Sequence, residues 1–214
     1  MTIAMPRLDR STVEERGLTI ADFLVPIRVG ERVNARVRDI SLVVAGALLI
    51  YLSARISIPV PGSPVPITGQ TFGVLLVGGG LGFRRGLIGV ALYVLLGVVG
   101  LPFFAEGKWG ISVIWGATGG YLIGFVIAGA LVGRLAELGW DRRLGGALGA
   151  MLLGSAVIYA IGLPWLAVVA GMSIAETIAN GLTPFLLGDA LKLTFAAVLF
   201  PTAWWVVGRR PDDR

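Results

Sequence analysis

The sequence predicts an all-α integral membrane protein, a bundle of six transmembrane helices. Three observations carry that expectation. Of 214 residues, 56% are hydrophobic and only 14% are charged, where a soluble domain carries about 25% charged residues. The mean hydropathy is +0.85. The apolar residues fall into long runs, and the arginines lie between those runs.

A bilayer core of ~30 Å needs ~20 helical residues. Residues 1–38 are polar and mixed in charge, with Arg28, Arg32, Arg36 and Arg38 near their end. No apolar core follows a short basic start, so no secretory signal is expected. A loosely ordered tail is expected there, with 17–30 as a candidate amphipathic piece on the membrane surface. The transmembrane domain is expected over 39–208, with a second short tail at 209–214.

The first span is expected over 40–58. The proline-rich stretch 59–66 is a stiff extended loop. The second span begins near Thr68 and ends near Leu81, and the third covers 87–101, with Arg84 and Arg85 between them. A glycine- and aromatic-rich loop follows over 103–117, holding Glu106, Lys108 and Trp109. The fourth span is expected over 118–135 and the fifth over 144–161, joined by a charged turn. A long connection over 164–180 is a candidate surface helix. The sixth span covers 185–207.

The Arg residues near span ends fall on one side of this arrangement. By the positive-inside rule both termini are cytoplasmic, and loops 59–67, 102–117 and 163–183 face outward. The net charge of +5 therefore reads as a topology signal. It is no nucleic-acid footprint, because no basic stripe is interleaved with aromatics.

The chain has neither Cys nor His. That excludes thiol catalysis, disulfides and the usual zinc sites. Residues 78–85 fit neither GxxxxGK[ST] nor GxGxxG, so no nucleotide site is expected. No cofactor is expected either.

Two charges stand inside the last span. Asp and Lys each cost ~2.5–3.5 kcal/mol at the centre of a membrane helix. Asp189 and Lys192 are three residues apart and share one helix face, in the outer half of the span. The pair is either a packing lock between helices or part of a site for a polar solute. Intramembrane ionisable residues favour the second reading.

Several stretches stand in a set order. Val65-Pro-Ile-Thr68 with Gln70-Thr71-Phe72-Gly73 comes first, then Leu81-Gly82 with Arg84-Arg85-Gly86, and Tyr93. Gly100-Leu-Pro102 with Phe104-Ala105 follows, then Thr118-Gly-Gly-Tyr121 and Gly162-Leu-Pro-Trp165. Pro184-Phe185 with Gly188-Asp189 and Lys192 completes the set. Together, over about residues 40–205, they resemble the BioY family, the biotin-binding S components of energy-coupling-factor (ECF) transporters. The resemblance implies a six-helix bundle of the ECF S-component type in the plasma membrane of a prokaryote. It also implies biotin capture on the extracellular side, with a coupling transmembrane protein and ABC-type ATPases as partners. Three departures stand out: Glu106 and Lys108 in a loop of small residues, Ala117 in place of Pro, and Leu49 after Ser41 and Ala45 on the first span.

Biotin has a carboxylate, a flat ureido group and an apolar thioether ring. Its site needs a cation, acceptors, a donor and apolar walls. Lys192 is the candidate cation, and Asp189 either accepts a ureido N–H or orients Lys192. Gln70, Thr71 and Tyr93 are candidate neutral polar contacts. Phe104, Trp109, Tyr121 and Trp165 are candidate walls. The 103–110 loop is placed to cover the ligand. The alternatives are a stand-alone proton-coupled or facilitative carrier with Asp189 as relay, a membrane enzyme, and a structural subunit. An enzyme would need a nucleophile–base pair or a carboxylate cluster that the sequence does not offer.

Overall fold

The computed structural model describes residues 19–24 and 32–208. Residues 1–18, 25–31 and 209–214 lie outside the described set, and with them most of the two expected tails. In chain order the elements are α1 (Ile20–Leu24), α2 (Arg32–Ala54), β1 (Ser57–Ile58), β2 (Ile67–Thr68) and α3 (Gln70–Val98). They are followed by α4 (Ile111–Trp115), α5 (Gly119–Glu137), α6 (Leu144–Ala170), α7 (Ile174–Gly181) and α8 (Leu186–Gly208).

The expected second and third spans form one hairpin, α3. Gly82 breaks the helix with φ 82° and ψ −176°, a conformation open essentially to glycine alone. A Cβ placed on Gly86 would stand 3.1 Å from the Cα of Gly78. Eight residues apart along one straight helix, these positions would be separated by ~12 Å. The arms 70–81 and 83–98 therefore run antiparallel, and each is shorter than the ~20 residues of a standard span. Arg84 and Arg85 sit at the tip. Glu137 closes the break by accepting a hydrogen bond from the backbone N–H of Phe83 at 2.9 Å.

Two other expectations are corrected. The first span starts earlier than expected, at Arg32, and its helix ends at Ala54; residues 57–58 form a strand instead. That strand pairs antiparallel with Ile67–Thr68, Ser57 facing Thr68, and so closes the proline-rich loop at its base. The fifth span does not stop before Pro164. It continues through that residue to Ala170, where Gly171 ends it in the left-handed region at φ 63°. A proline inside a helix removes one hydrogen bond, but membrane helices tolerate it where neighbours re-satisfy the backbone.

The candidate surface helix of the 164–180 connection is α7. Ser173 and Glu176 form a reciprocal capping box at its start, which satisfies two otherwise orphan N–H donors. Residues 20–24, expected within a loose tail, form a helical turn with Ile20, Ala21 and Phe23 buried. The Phe23 ring meets Trp204 of α8 edge-on at 5.2 Å.

The core has two parts. One gathers Ile50, Val74, Tyr93, Phe104, Tyr121 and Ile158. The other, toward the hairpin tip, gathers Leu75, Val132, Met151, Phe200 and Trp204. Outside, apolar side chains are exposed where a soluble protein shows Lys and Glu: Val168 is 83% exposed and Leu187 77%. Among the described residues five helices are long and apolar enough to cross a membrane, with the hairpin taken as one. The protein is thus a multi-pass, all-α membrane bundle.

Candidate functional site

The site is built where α3 and α8 begin. The β1–β2 pair delivers Thr68 to the N-terminal end of α3, and Gln70 and Thr71 follow in its first turn. On α8, Asp189 and Lys192 face that end. The Lys192 ammonium donates to the carbonyl of Thr68 at 2.8 Å, to Thr71 Oγ1 at 3.2 Å and to Asp189 Oδ1 at 3.1 Å. An ammonium has three N–H donors, so Lys192 is saturated. The second carboxylate oxygen of Asp189 accepts from the hydroxyl of Tyr159 on α6. Asp189 is 6% exposed, so its charge is held by Lys192 and Tyr159 together and not by water.

Beside this cluster, Gln70 Oε1 accepts from Thr68 Oγ1 at 3.0 Å, and Gln70 Nε2 donates to the Tyr93 hydroxyl. Tyr93 is fully buried and lies edge-on to Phe104, with ring centroids 6.0 Å apart. Phe104 in turn rests on Gly97: a Cβ there would meet the ring at 2.4 Å. Any side chain at 97 would displace the ring. Phe103 stacks on Tyr51 at 4.5 Å, and the Arg55 guanidinium lies 4.6 Å over the Tyr51 ring while donating to the carbonyl of Pro102. The 103–110 loop is thereby fixed at one edge. At its other end Glu106 takes a left-handed φ of 59° and pairs with Lys108 at 2.6 Å.

These groups surround one cavity. Gln70, Thr71, Phe104, Tyr121, Asp189 and Lys192 all line it. Three other candidates stand elsewhere. Tyr93 lies behind the wall and supports Gln70 and Phe104. Trp109 is 61% exposed and lines a separate outer depression. Trp165 is also outside the cavity; its indole N–H donates to the carbonyl of Gly116 at 3.0 Å and its ring stacks on Trp115. Tyr121 lines the cavity and is tied to α7 through a 3.0 Å bond to the carbonyl of Gly181.

Sequence reasoning missed Tyr159, Phe125, Ile158 and Lys108, which line the cavity as well. Tyr159 carried a signal, a hydroxyl inside an otherwise apolar span that needs a buried partner. Lys108 is 55% exposed at its side chain and reaches the cavity from the covering loop. The result is a cavity with a polar end of saturated charges, aromatic and aliphatic walls, and one cation at its loop side.

Known proteins share this architecture. The chain is similar to the "Biotin transporter BioY" of Thermotoga maritima, 41% identical over 151 residues, spanning 71% of this chain and 86% of that protein. It is also similar to the "Probable biotin transporter BioY" of Pyrococcus horikoshii, 37% identical over 164 residues, spanning 77% and 94%. Its fold matches the crystal structure of the S-component for biotin from an ECF-type ABC transporter, with a TM-score of 0.74 and 26% identity over 81% of this chain and 94% of that one. The description of the BioY family matches residues 28–209, and the chain belongs to that family.

Proposed function

We propose that this chain captures biotin in the cavity between α3, α6 and α8 and serves its uptake across the cytoplasmic membrane as the substrate-specific S component of an ECF transporter. One observation carries the reading: the cavity joins a saturated Asp189–Lys192–Tyr159 cluster to apolar walls. A neutral, flat group with both donors and acceptors fits that end. A ureido group offers two N–H donors and one carbonyl acceptor. Asp189 and Thr71 accept from it and Gln70 donates to it. Phe104, Tyr121 and Phe125 enclose the thioether ring. The carboxylate then points to the loop side, where Lys108 is the cation and exchanges its contact with Glu106 for the ligand. Lys192 is the alternative partner for the carboxylate, which would there replace one of its contacts to Thr68, Thr71 and Asp189.

The proposed orientation has both termini in the cytoplasm and the cavity opening outward, because the arginines gather at the hairpin-tip end. Uphill uptake is driven by a coupling membrane protein and ABC-type ATPases, since the sequence offers no nucleotide-binding motif. The chain itself is a binding protein and not an enzyme. Titration of the purified protein with biotin, thiamine and riboflavin tests the reading. Biotin alone should bind; binding of another vitamin in its place, or of none, contradicts it.

A further inference from the structure

At the opposite end of the bundle from the ligand cavity, four guanidinium groups converge on a second depression. Arg38 comes from α2, Arg84 and Arg85 from the hairpin tip, and Arg134 from α5; Leu81 and Phe83 line it beside them, with Asp39 and Glu137. The carboxylates there are already assigned. Asp22 of α1 pairs with Arg38 at 3.3 Å and Arg85 at 2.8 Å. Asp39 pairs with Arg38 at 3.1 Å and lies 3.6 Å from Arg85. Glu137 pairs with Arg134 at 3.0 Å while capping Phe83. Among the described residues three carboxylates face these four guanidiniums, and Arg84 is the guanidinium without an ion pair. In addition, Nη1 of Arg85 is buried and has no hydrogen-bond acceptor; Asp39 at 3.6 Å is too far to serve as one.

The surroundings favour one class of anion. Phe83 is 39% exposed at the depression, and Val37 and Ile40, which flank Arg38 and Asp39 along α2, are 57% and 64% exposed. A soluble phosphate gains nothing from that apolar rim. A phospholipid does, because its acyl chains cover the rim while a phosphate oxygen meets the guanidinium fork. Basic pockets between helix ends at a membrane surface suit anionic head groups.

We propose that the pocket formed by Arg38, Arg84, Arg85 and Arg134 binds the head group of an anionic phospholipid at the hairpin-tip end. Bound there, the lipid ties α2, the α3 tip and α5 together.

The test is the melting temperature of the full chain in nanodiscs of pure phosphatidylcholine and of phosphatidylcholine with phosphatidylglycerol. Phosphatidylglycerol should raise Tm by about 2–4 °C, the size expected for a single added charge contact in a protein of this length. Arg84→Gln removes no existing ion pair, so it should fold normally and lose the phosphatidylglycerol shift. Arg143→Gln changes an exposed arginine at the same end but outside the pocket, and should keep the shift. Equal loss in both variants means a diffuse surface-charge effect and overturns the proposal. So does a wild-type protein without the shift. If inorganic phosphate added to phosphatidylcholine discs reproduces the shift, the site takes a free anion and the lipid assignment fails.

Discussion

Tyr159 on α6 and Asp189 on α8 share a hydrogen bond across the cavity's polar end, on the carboxylate oxygen that Lys192 leaves free. This bond ties two helices that are far apart in sequence. It also removes a lone pair that water would otherwise seek. Tyr159→Phe should therefore keep the fold and weaken biotin binding by about tenfold, the equivalent of ~1.4 kcal/mol for a hydrogen bond to a charged group. Equilibrium binding by the purified variant checks it; unchanged affinity would show that the hydroxyl serves packing alone.

The loop over the cavity rests on Phe104, not on Trp109. Phe104 is 2% exposed and lines the cavity, while Trp109 is 61% exposed and does not. Phe104→Ala should speed biotin release at least about tenfold, because lost wall contact shows mainly in the off-rate. Trp109→Ala should leave release nearly unchanged. Stopped-flow displacement of a fluorescent biotin derivative separates the two, and the reverse order would move the cover to the outer face of the loop.

Much of this arrangement is legible in the sequence, and the reasons differ residue by residue. Asp189 and Lys192 announce themselves because a charge in an apolar run has to meet a partner. The hairpin is announced by Arg84 and Arg85, but its break falls at Gly82, one of many glycines with nothing local to mark it. Pro164 reads as a helix stop, yet α6 passes through it, since tertiary packing decides what a membrane helix tolerates. Trp109 and Trp165 read as walls because an aromatic in a loop near a membrane suits a wall and an interfacial position equally. Tyr159 is hidden by the same ambiguity in an apolar span. The docking of 20–24 rests on Asp22 meeting Arg38 and Arg85, a long-range match that local pattern does not reveal.

A buried carboxyl at the turn between α5 and α6 makes stability depend on pH. Burial pushes the Asp141 carboxyl up to about 6, although Trp204, which donates to it at 2.6 Å, and the nearby Arg142 pull the other way. Its unperturbed value is 3.8. A raised carboxyl value means that the folded state binds the proton more tightly than the unfolded state. The ionised form therefore costs stability above about pH 6, and that cost fades as pH falls from 6 toward 4. The gap corresponds to ~3 kcal/mol at most. Asp141→Asn, which keeps an acceptor for Trp204, should raise Tm at pH 7.5 and change it little at pH 4.5. A lower Tm for the variant at pH 7.5 would show that the ionised carboxylate is stabilising.

The chain has no cysteine, so single-cysteine labelling is clean. Pro61→Cys, in the loop closed by the β1–β2 pair, should react with a membrane-impermeant maleimide in intact cells. Arg143→Cys should react only after the membrane is opened. Labelling of Arg143→Cys in intact cells would invert the proposed topology.

Energy coupling has its own outcome. Reconstituted alone in liposomes, the protein should bind biotin without accumulating it, because no differential free energy is available to it. Concentrative uptake that collapses with the proton gradient would establish a stand-alone carrier instead.

The cavity at Asp189 and Lys192 is proposed to hold biotin, and calorimetric titration of the purified wild type and of Asp189→Asn tests this most directly. The substitution takes the charged acceptor away from a ureido N–H, a contact worth ~1.5–3 kcal/mol. Tight binding by the wild type and a loss of about one to two orders of magnitude in the variant are expected. A folded Asp189→Asn protein that binds biotin as tightly as the wild type would contradict this.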